Sequence, residues 1–420
     1  MLKTTDAWLP NVLRRYWAAM VVMARVCAAI HAAEVHFARR TQWVHGGDFT
    51  IFAARFRFFR QPEFWAFADY PFTYPAPLAV VFAGFYALRH GLRDYTLLCA
   101  AGLAVWSAWL ALALRRRGVR LGAASGFAVT VLVTSWPVYL LLDSGNIEGL
   151  VWLVLTAGTA AVLARRFWLG TALIGVAGAM KIFPLVLLGL VLSQRRYREF
   201  GFGLLVAVLV TCGSLKVVGP TMVEAQRGIN TGLTMLRDGN LVPGTPTIVN
   251  HSLWGLMKWA VVETDRSLYP VSANGIAARN EQERALLAKL LTAYLAATAL
   301  LGLVLYFWRI QHLPILNQAI ALTVCAVLLP PLSIDYTLVH LLLPFGLLCL
   351  LAAERRRVTG LNACLICFAV IFSADTFLRV PEELGCQART IALVILLVVS
   401  MRHRFVWPRL DAPARYQEAA

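Results

Sequence analysis

A carboxylate stands directly behind two glycines in the segment HGGDFTIF, residues 45–52. Asp48 has the chemistry of a general base, which takes a proton from a reacting group, and equally that of a helix N-cap. Neither Glu nor Gln follows three residues later, so no capping box favours the cap. Both roles are open for Asp48, and His45 and Gly47 beside it are candidate substrate contacts.

Aromatic residues follow Asp48 at the spacing of one helix face. They are Phe49, Phe52, Phe56 and Phe59, interspersed with Arg55, Arg57 and Arg60. This pattern predicts a short helix that lies along the membrane surface with its rings towards the lipid. Further along, YPFTYPAPL (70–78) places Tyr74 just before a helix, in a position typical of an interfacial aromatic belt or of a binding site.

Charged residues also occur inside strongly apolar stretches, where a charge is costly and a functional role is the default expectation. Asp143, Asn146 and Glu148 lie in LLLDSGNIEGL (140–150). A helix cap would explain Asn146 but not two carboxylates so close to hydrocarbon, so structural and functional roles both stay open. Lys181 lies in the middle of an apolar run and needs a partner, either a carboxylate such as Glu148 or a substrate phosphate.

Two later segments add candidates. In GTPTIVNHSLWGLMKW (244–259), Asn250 reads either as a helix cap or as a ligand contact. In PPLSIDYTLVHLLLPF (330–345), polar residues open a new apolar span, and a lone histidine one turn deeper is more often structural than functional. The candidates from these segments are Asn250, His251, Lys258, Asp335 and Tyr336.

The surrounding elements must be transmembrane helices. Of the 420 residues, 59% are hydrophobic and 15% are charged, against about a quarter charged in soluble domains. Apolar stretches of about 17 to 22 residues recur, each long enough to cross a bilayer. The net charge of +17 sits in arginine clusters between these stretches, which indicates membrane orientation and anionic lipid contact and not nucleic-acid binding.

The charge pattern predicts one all-α polytopic domain over residues 1–420, with about 11 to 13 transmembrane segments. Both chain ends are expected in the cytoplasm, with 402–420 as a cytoplasmic tail. Residues 34–75 and 219–285 are expected as extracytoplasmic loops, the second with a short helix at 277–290. Prolines in SWPV and AMKIFPLV predict broken helices. Expected spans are 16–33, 286–308, 314–331, 336–353, 361–374 and 389–401.

Four blocks in order resemble a known family: GGDFTIFAARFRFF, FTYPAPLAVVFAGFYAL, SGNIEGLVWLVLTAG and GVAGAMKIFPLVLLGLVLSQRRYR. They are similar to the polyprenyl-phosphate-dependent glycosyltransferases of family 87, GT-C fold enzymes that include mannosyl- and arabinofuranosyltransferases. NHSLWGL and PPLSIDYTLVHLLLP extend the resemblance to about residue 345. The family often has Gly-Gln-x-Asn where Gly145, Asn146 and Glu148 stand here, and His where Tyr336 stands, so the sugar and the acceptor stay open.

The resemblance implies that Asp48 is the general base and that a sugar moves from a polyprenyl phosphate to a lipid or glycan acceptor outside the bacterial plasma membrane. Cations would then stabilise the phosphate, with Lys181 first and Arg55, Arg57 and Lys258 next. We expect no cofactor or metal. A transporter or lipid flippase is the alternative, because broken helices and buried charges suit one. A structural membrane subunit is a third reading, but it would not need the buried charges.

Overall fold

The computed structural model describes residues 46–66, 72–242, 250–268, 276–354, 358–373 and 382–407. The expected first span at 16–33, His45 and most of the expected tail at 402–420 lie outside the described residues. Within the described ranges the chain is helical, without a regular strand, and Asn250 and Ile334 form one isolated antiparallel bridge.

The helices in chain order are α1 Gly47–Thr50, α2 Ala53–Phe56, α3 Glu63–Ala66, α4 Ala76–Tyr86, α5 Gly91–Arg115, α6 Leu121–Thr134, α7 Trp136–Ser144, α8 Glu148–Leu163, α9 Phe167–Met180, α10 Gly189–Leu192, α11 Tyr197–Val218, α12 Met222–Leu236, α13 Leu253–Leu268, α14 Ile276–Trp308, α15 Ile315–Leu328, α16 Leu342–Glu354, α17 Leu361–Phe372 and α18 Glu382–Arg402. Short 3₁₀ segments at Phe183–Leu188 and Asp335–Leu341 lead into α10 and α16.

Five helical segments among the described residues are long and apolar enough to cross a membrane. They are Gly91–Arg115, Tyr197–Val218, Glu281–His312, Asp335–Glu354 and Gly385–Arg402. This confirms the all-α polytopic class. A sixth span arises if the bent pair α6 and α7 counts as one, and seven further apolar helices are only 10–17 residues long. Within the described residues, length and composition thus support five or six spans, against 11 to 13 predicted for the whole chain.

The predicted breaks occur where the proline motifs place them. Helices α6 and α7 meet at Ser135 and are bent by 59°, and Pro137 lies in the first turn of α7. After α9, Lys181 has extended backbone, and Pro184 lies in the first turn of the following 3₁₀ segment. Proline lacks the N–H that would continue a helix, so the chain restarts there and leaves the Lys181 side chain at the junction.

Glycines bring three helices close together. A Cβ at Gly170 of α9 would lie 2.9 Å from the Gly158 carbonyl oxygen of α8. A Cβ at Gly175 would lie 2.3 Å from the Gly203 carbonyl oxygen of α11. Since α8 and α9 are consecutive and antiparallel, the start of α8 and the end of α9 meet at one end of the bundle. That geometry places Glu148 and Lys181 side by side.

Two local predictions are wrong. The expected short helix at 277–290 is continuous with the span that follows, in the 33-residue helix α14. The expected short helices after Asp48 occur as three one-turn helices, α1 to α3, but the predicted direction of their aromatic rings, towards the lipid, is wrong. The phenylalanines face the protein: Phe49, Phe52 and Phe56 are 2%, 7% and 8% exposed. Aromatic side chains of the helix bundle pack against these rings, so the rings are buried in protein and do not face the lipid.

Candidate active site

The loop that carries Asp48 is anchored by glycines that meet at close range. Gly46 adopts the left-handed conformation at φ 75°, precedes α1, and donates its N–H to the Asp143 carbonyl oxygen at 2.7 Å. Gly145, also left-handed at φ 64°, ends α7, and a Cβ there would lie 3.2 Å from the Gly46 Cα. A Cβ at Gly47 would meet no atom of the described residues within 4 Å, so this part of the structure leaves open space beside Asp48 on that side.

Aromatic packing also holds the loop that carries Asp48 in place. The Phe49 ring lies 4.8 Å from the Tyr86 ring and 5.6 Å from the Phe82 and Tyr95 rings, between centroids. The Tyr86 hydroxyl donates to the Phe49 carbonyl oxygen. Aromatic pairs at these separations add attraction beyond their buried area, so the position of Asp48 is set by two helices, α4 and α5, in addition to α7.

Asp48 lies in the first turn of α1, and the residue at the cap position is Gly46. The helix-cap reading of Asp48 is therefore wrong. Its Oδ2 accepts a hydrogen bond of 2.9 Å from the Asn146 side-chain amide, whose Nδ2 also contacts the Tyr74 hydroxyl at 3.3 Å. Burial raises the pKa of the Asp48 carboxyl, and the bond from Asn146 acts in the opposite direction. The result is a carboxylate with increased affinity for a proton.

Further hydrogen bonds hold Asn146 itself in place. Its Oδ1 accepts the Glu148 backbone N–H at 2.9 Å, and its backbone carbonyl accepts from the Tyr95 hydroxyl. Because Oδ1 is engaged in this way, the amide presents its NH₂ group to Asp48. The side chain is 1% exposed, so its orientation is fixed by packing as well as by hydrogen bonds.

Glu148, Lys181 and His340 form a polar group beside Asp48, in which Glu148 and His340 are buried. Lys181 donates to Glu148 Oε2 in a salt bridge, and His340 Nε2 contacts Glu148 Oε1 at 2.7 Å. The Glu148 side chain has 0% exposure, whereas the Lys181 side chain keeps 20%. Of the two partners proposed for Lys181 from the sequence, the structure supplies Glu148.

Two tyrosine rings flank the ammonium group of Lys181. Its Nζ lies 5.7 Å from the centre of the Tyr74 ring and 5.9 Å from that of Tyr336, within the range of cation–π attraction. An ammonium carries three N–H donors, so the bond to Glu148 leaves two. We call the group Asp48, Tyr74, Asn146, Glu148, Lys181, Tyr336 and His340 the open cluster.

Asp335 belongs to a different group, although it is the neighbour of Tyr336 in the chain. Its Oδ2 accepts from Arg389 at 2.8 Å and from the Trp136 indole at 2.9 Å, and its Oδ1 lies 3.3 Å from His251 Nδ1. His251 Nε2 lies 2.9 Å from the Ser333 hydroxyl. We call these five residues the closed cluster, because His251, Asp335 and Arg389 are 0–1% exposed. Burial lowers the pKa of His251, and the contact with Asp335 acts in the opposite direction.

Asn250 braces the backbone of this region. Its Oδ1 accepts the Ser333 and Ser252 backbone N–H groups at 2.9 and 3.2 Å, and its Nδ2 donates to the Pro331 carbonyl at 2.9 Å. The Ser252 hydroxyl, in turn, accepts from Gly255 N at 3.0 Å in the first turn of α13. Ser252 therefore has the cap role that the sequence suggested for Asn250.

Three further candidates lie away from the open cluster's polar contacts. The Arg55 side chain is 2% exposed, with its guanidinium carbon 5.8 Å from the centre of the Phe64 ring; burial lowers its pKa to about 10. Lys258 is 2% exposed within α13. Asp143 contributes through its backbone, which holds the Asp48 loop. His45 lies outside the described residues.

Sequence reasoning missed several contributors. His340 was read as a lone structural histidine, yet it contacts Glu148 across 192 residues of chain. Sequence reasoning also did not identify Tyr95 or the closed-cluster residues Trp136, Ser333 and Arg389. The available signal was Arg389, a charge on an apolar helix.

No curated protein and no solved structure gives a significant match to this chain. The sequence model of glycosyltransferase family 87 matches residues 72–229. That range contains Tyr74, Asn146, Glu148 and Lys181 of the open cluster, while Asp48, Tyr336 and His340 lie outside it. Residues 72–229 thus carry the signature of glycosyltransferase family 87, the family that the sequence blocks resemble. Together with the helices long enough to span a membrane, the match supports the general class of membrane glycosyltransferase.

Proposed function

We propose that the protein transfers a hexose or a pentose, mannose-like or arabinofuranose-like, from a polyprenyl phosphate to a lipid or glycan acceptor. The open cluster is the reaction site in this proposal. The environment of Asp48 supports it most directly. Burial raises the pKa of this carboxyl, Asn146 orients it, and the charge of Lys181 acts on it. The described residues leave open space beside it at Gly47. The proposal places the site on the extracytoplasmic side of a bacterial plasma membrane.

Asp48 is the general base. An acceptor hydroxyl oxygen attacks the anomeric carbon, and its proton passes to the Asp48 carboxylate. The bond between the anomeric carbon and the phosphate oxygen breaks, with its electron pair going to the phosphate. The products are the new glycoside and polyprenyl phosphate. A raised pKa suits this task, because a base with greater proton affinity takes the proton more readily once it is ionised.

Lys181 stabilises the leaving phosphate. Charge develops on the phosphate oxygen as the bond breaks, and a fixed cation in a partly desolvated site lowers the energy of that state. The salt bridge from Glu148 and the rings of Tyr74 and Tyr336 hold the ammonium group in place. A phosphate is already a good leaving group, so no second carboxylic acid is required, and the mechanism calls for no cofactor.

Asp48→Asn tests the base directly. Transfer in nanodiscs, followed as release of polyprenyl phosphate from a polyprenyl-phosphate sugar, should fall about 10²- to 10⁴-fold, the usual contribution of general base catalysis. Donor binding should change little, because Asn keeps the shape of Asp. A matched control is Asp94→Asn, which removes a carboxylate that pairs with its neighbour Arg93 on α5 and should leave transfer intact.

The same assay separates the proposal from the transporter alternative that the bent helix pair α6 and α7 suggests. Proteoliposomes that move the donor across the bilayer without releasing polyprenyl phosphate would support a transporter. Near wild-type transfer by a well-folded Asp48→Asn variant would refute the role of Asp48 as base.

A further inference from the structure

Two loops of the bundle share a sequence pattern, two arginines before an aromatic residue, and one backbone conformation. They read Arg-Arg-Phe at 165–167 and Arg-Arg-Tyr at 195–197. The first arginine of each is left-handed, with φ 62° at Arg165 and 57° at Arg195. The second precedes a helix, with φ and ψ of −86° and 65° at Arg166 and of −88° and 64° at Arg196. Left-handed backbone favours glycine, so two arginines occupy positions where the backbone alone would select another residue.

Close packing brings the two loops together. Thr171 of α9 lies against Gly203 of α11, and Gly175 lies against Gly203 and Ala207 further along both helices. The same offset at successive turns shows that α9 and α11 run parallel, so their amino ends adjoin. Each end carries a partial positive charge from unpaired backbone N–H groups, and the two charges add to those of the arginines.

A cavity of about 630 Å³ opens between these two ends. Its charged lining consists of Arg165, Arg166, Arg196 and Glu199, a net charge of two positive. Arg196 lies 3.7 Å from Glu199 and its guanidinium carbon 5.1 Å from the centre of the Phe167 ring. Glu199 is thus neutralised by a neighbour, and the cavity as a whole favours an anion.

Apolar side chains border the same cavity. Trp168 and Leu169 line it and are 53% and 51% exposed, and Tyr197 in the adjoining turn is 64% exposed. In a membrane protein such side chains face lipid, with aromatic rings at the level of the headgroups. The cavity therefore offers a cationic interior to a headgroup and an apolar border to acyl chains.

We infer that this cavity binds the headgroup of an anionic phospholipid. Its phosphate would accept from the arginines and from the backbone N–H groups of the two helix starts, which are well shaped for phosphate oxygens. The site lies at the other end of α9 from Lys181. That helix has 14 residues, or about 20 Å at the rise of an α-helix. The inference is independent of the proposed reaction, because none of these residues contributes to the open cluster.

Arg166→Gln combined with Arg196→Gln tests the site, because both left-handed arginines stay in place. The full chain, delipidated in a neutral detergent, is titrated with phosphatidylglycerol and bound lipid is counted by native mass spectrometry. Each basic side chain near an anionic lipid is worth about fivefold in affinity, so the double variant should bind about 25-fold more weakly. The matched control is Arg115→Gln with Arg116→Gln, two exposed arginines at the end of α5.

The comparison ligands are phosphatidylcholine and inorganic phosphate. Selective retention of phosphatidylglycerol, lost in the double variant and kept in the control, supports the site. Undiminished phosphatidylglycerol binding by the double variant would overturn it, as would an equal loss in the control, which would indicate net charge alone. Displacement of the lipid by inorganic phosphate at similar concentration would overturn the lipid assignment, because it would show a free-phosphate site without an apolar component.

Discussion

The open and closed clusters contain similar residues in opposite settings. Each has a carboxylate that accepts from a cation, and each has a histidine beside it. In the closed cluster, Asp335 and Arg389 are at most 1% exposed and the carboxylate accepts bonds from indole and guanidinium groups together. In the open cluster, Lys181 keeps 20% exposure of its side chain, and the described residues leave open space beside Asp48 at Gly47. Paired charges that are sealed from solvent hold helices together, whereas paired charges that stay reachable can act on a substrate.

The largest expected effect on folding comes from the closed cluster. Asp335→Ala leaves Arg389 buried without its carboxylate, and breaking a buried ion pair in this way costs about 3–5 kcal/mol. The free energy of unfolding, measured in mixed detergent micelles, should fall by that amount, while transfer per folded molecule stays near wild type. Glu354→Ala is the control. It breaks the more exposed Arg117–Glu354 pair, which should cost about 0–1 kcal/mol.

Lys181→Met should give the largest loss of transfer after removal of Asp48 itself. We expect kcat to fall about 10²- to 10³-fold, as for the loss of one donor to a developing oxyanion. The same change leaves Glu148 without its ammonium partner, so the variant should also be less stable.

Combining Lys181→Met with Glu148→Gln separates these two effects. The second change removes the uncompensated carboxylate, so the free energy of unfolding should recover while kcat stays low. Recovery of kcat together with stability would show that the salt bridge serves the fold alone, and the distinction between the two clusters would then fail.

Asn146→Ala should produce a moderate effect that depends on pH. The bond from Asn146 lowers the pKa of Asp48, against the larger effect of burial, so its loss should raise that pKa further. A general base acts when it is ionised, so the acid limb of kcat/KM against pH should move to higher pH. An unchanged acid limb would show that another group sets it.

The smallest expected effect is a gain of stability in Asp48→Asn. The pKa of Asp48 in the folded protein is raised above its ordinary value of 3.8. Between these two pKa values the folded state binds more protons than the unfolded state, so the free energy of unfolding falls as the pH rises through that range. At neutral pH the neutral amide should therefore raise the thermal midpoint, and this gain should vanish below about pH 3.8, where both states are protonated. Asp335→Asn at neutral pH should lower the midpoint instead.

Local features of this chain were predictable. The helical class follows from the apolar stretches, and the breaks at Ser135 and Lys181 follow from Pro137 and Pro184. Charges in apolar runs identify Glu148 and Lys181, and the need of Lys181 for a partner predicts either Glu148 or a substrate phosphate beside it. The direction of the phenylalanines after Asp48 was not predictable, since helical spacing says which residues share a face but not whether lipid or protein covers that face.

The amino-acid sequence by itself determined the all-α membrane class, the proline breaks, the family signature and the short list of charged candidates, because periodicity and composition act through neighbours along the chain. Only the tertiary structure decided which candidates meet. Asn146 contacts Asp48 across 98 residues, and His340 contacts Glu148 across 192. Tyr336 and Asp335 are adjacent in sequence, yet they belong to different clusters, because successive side chains leave a helix in different directions and meet whatever distant helices pack there.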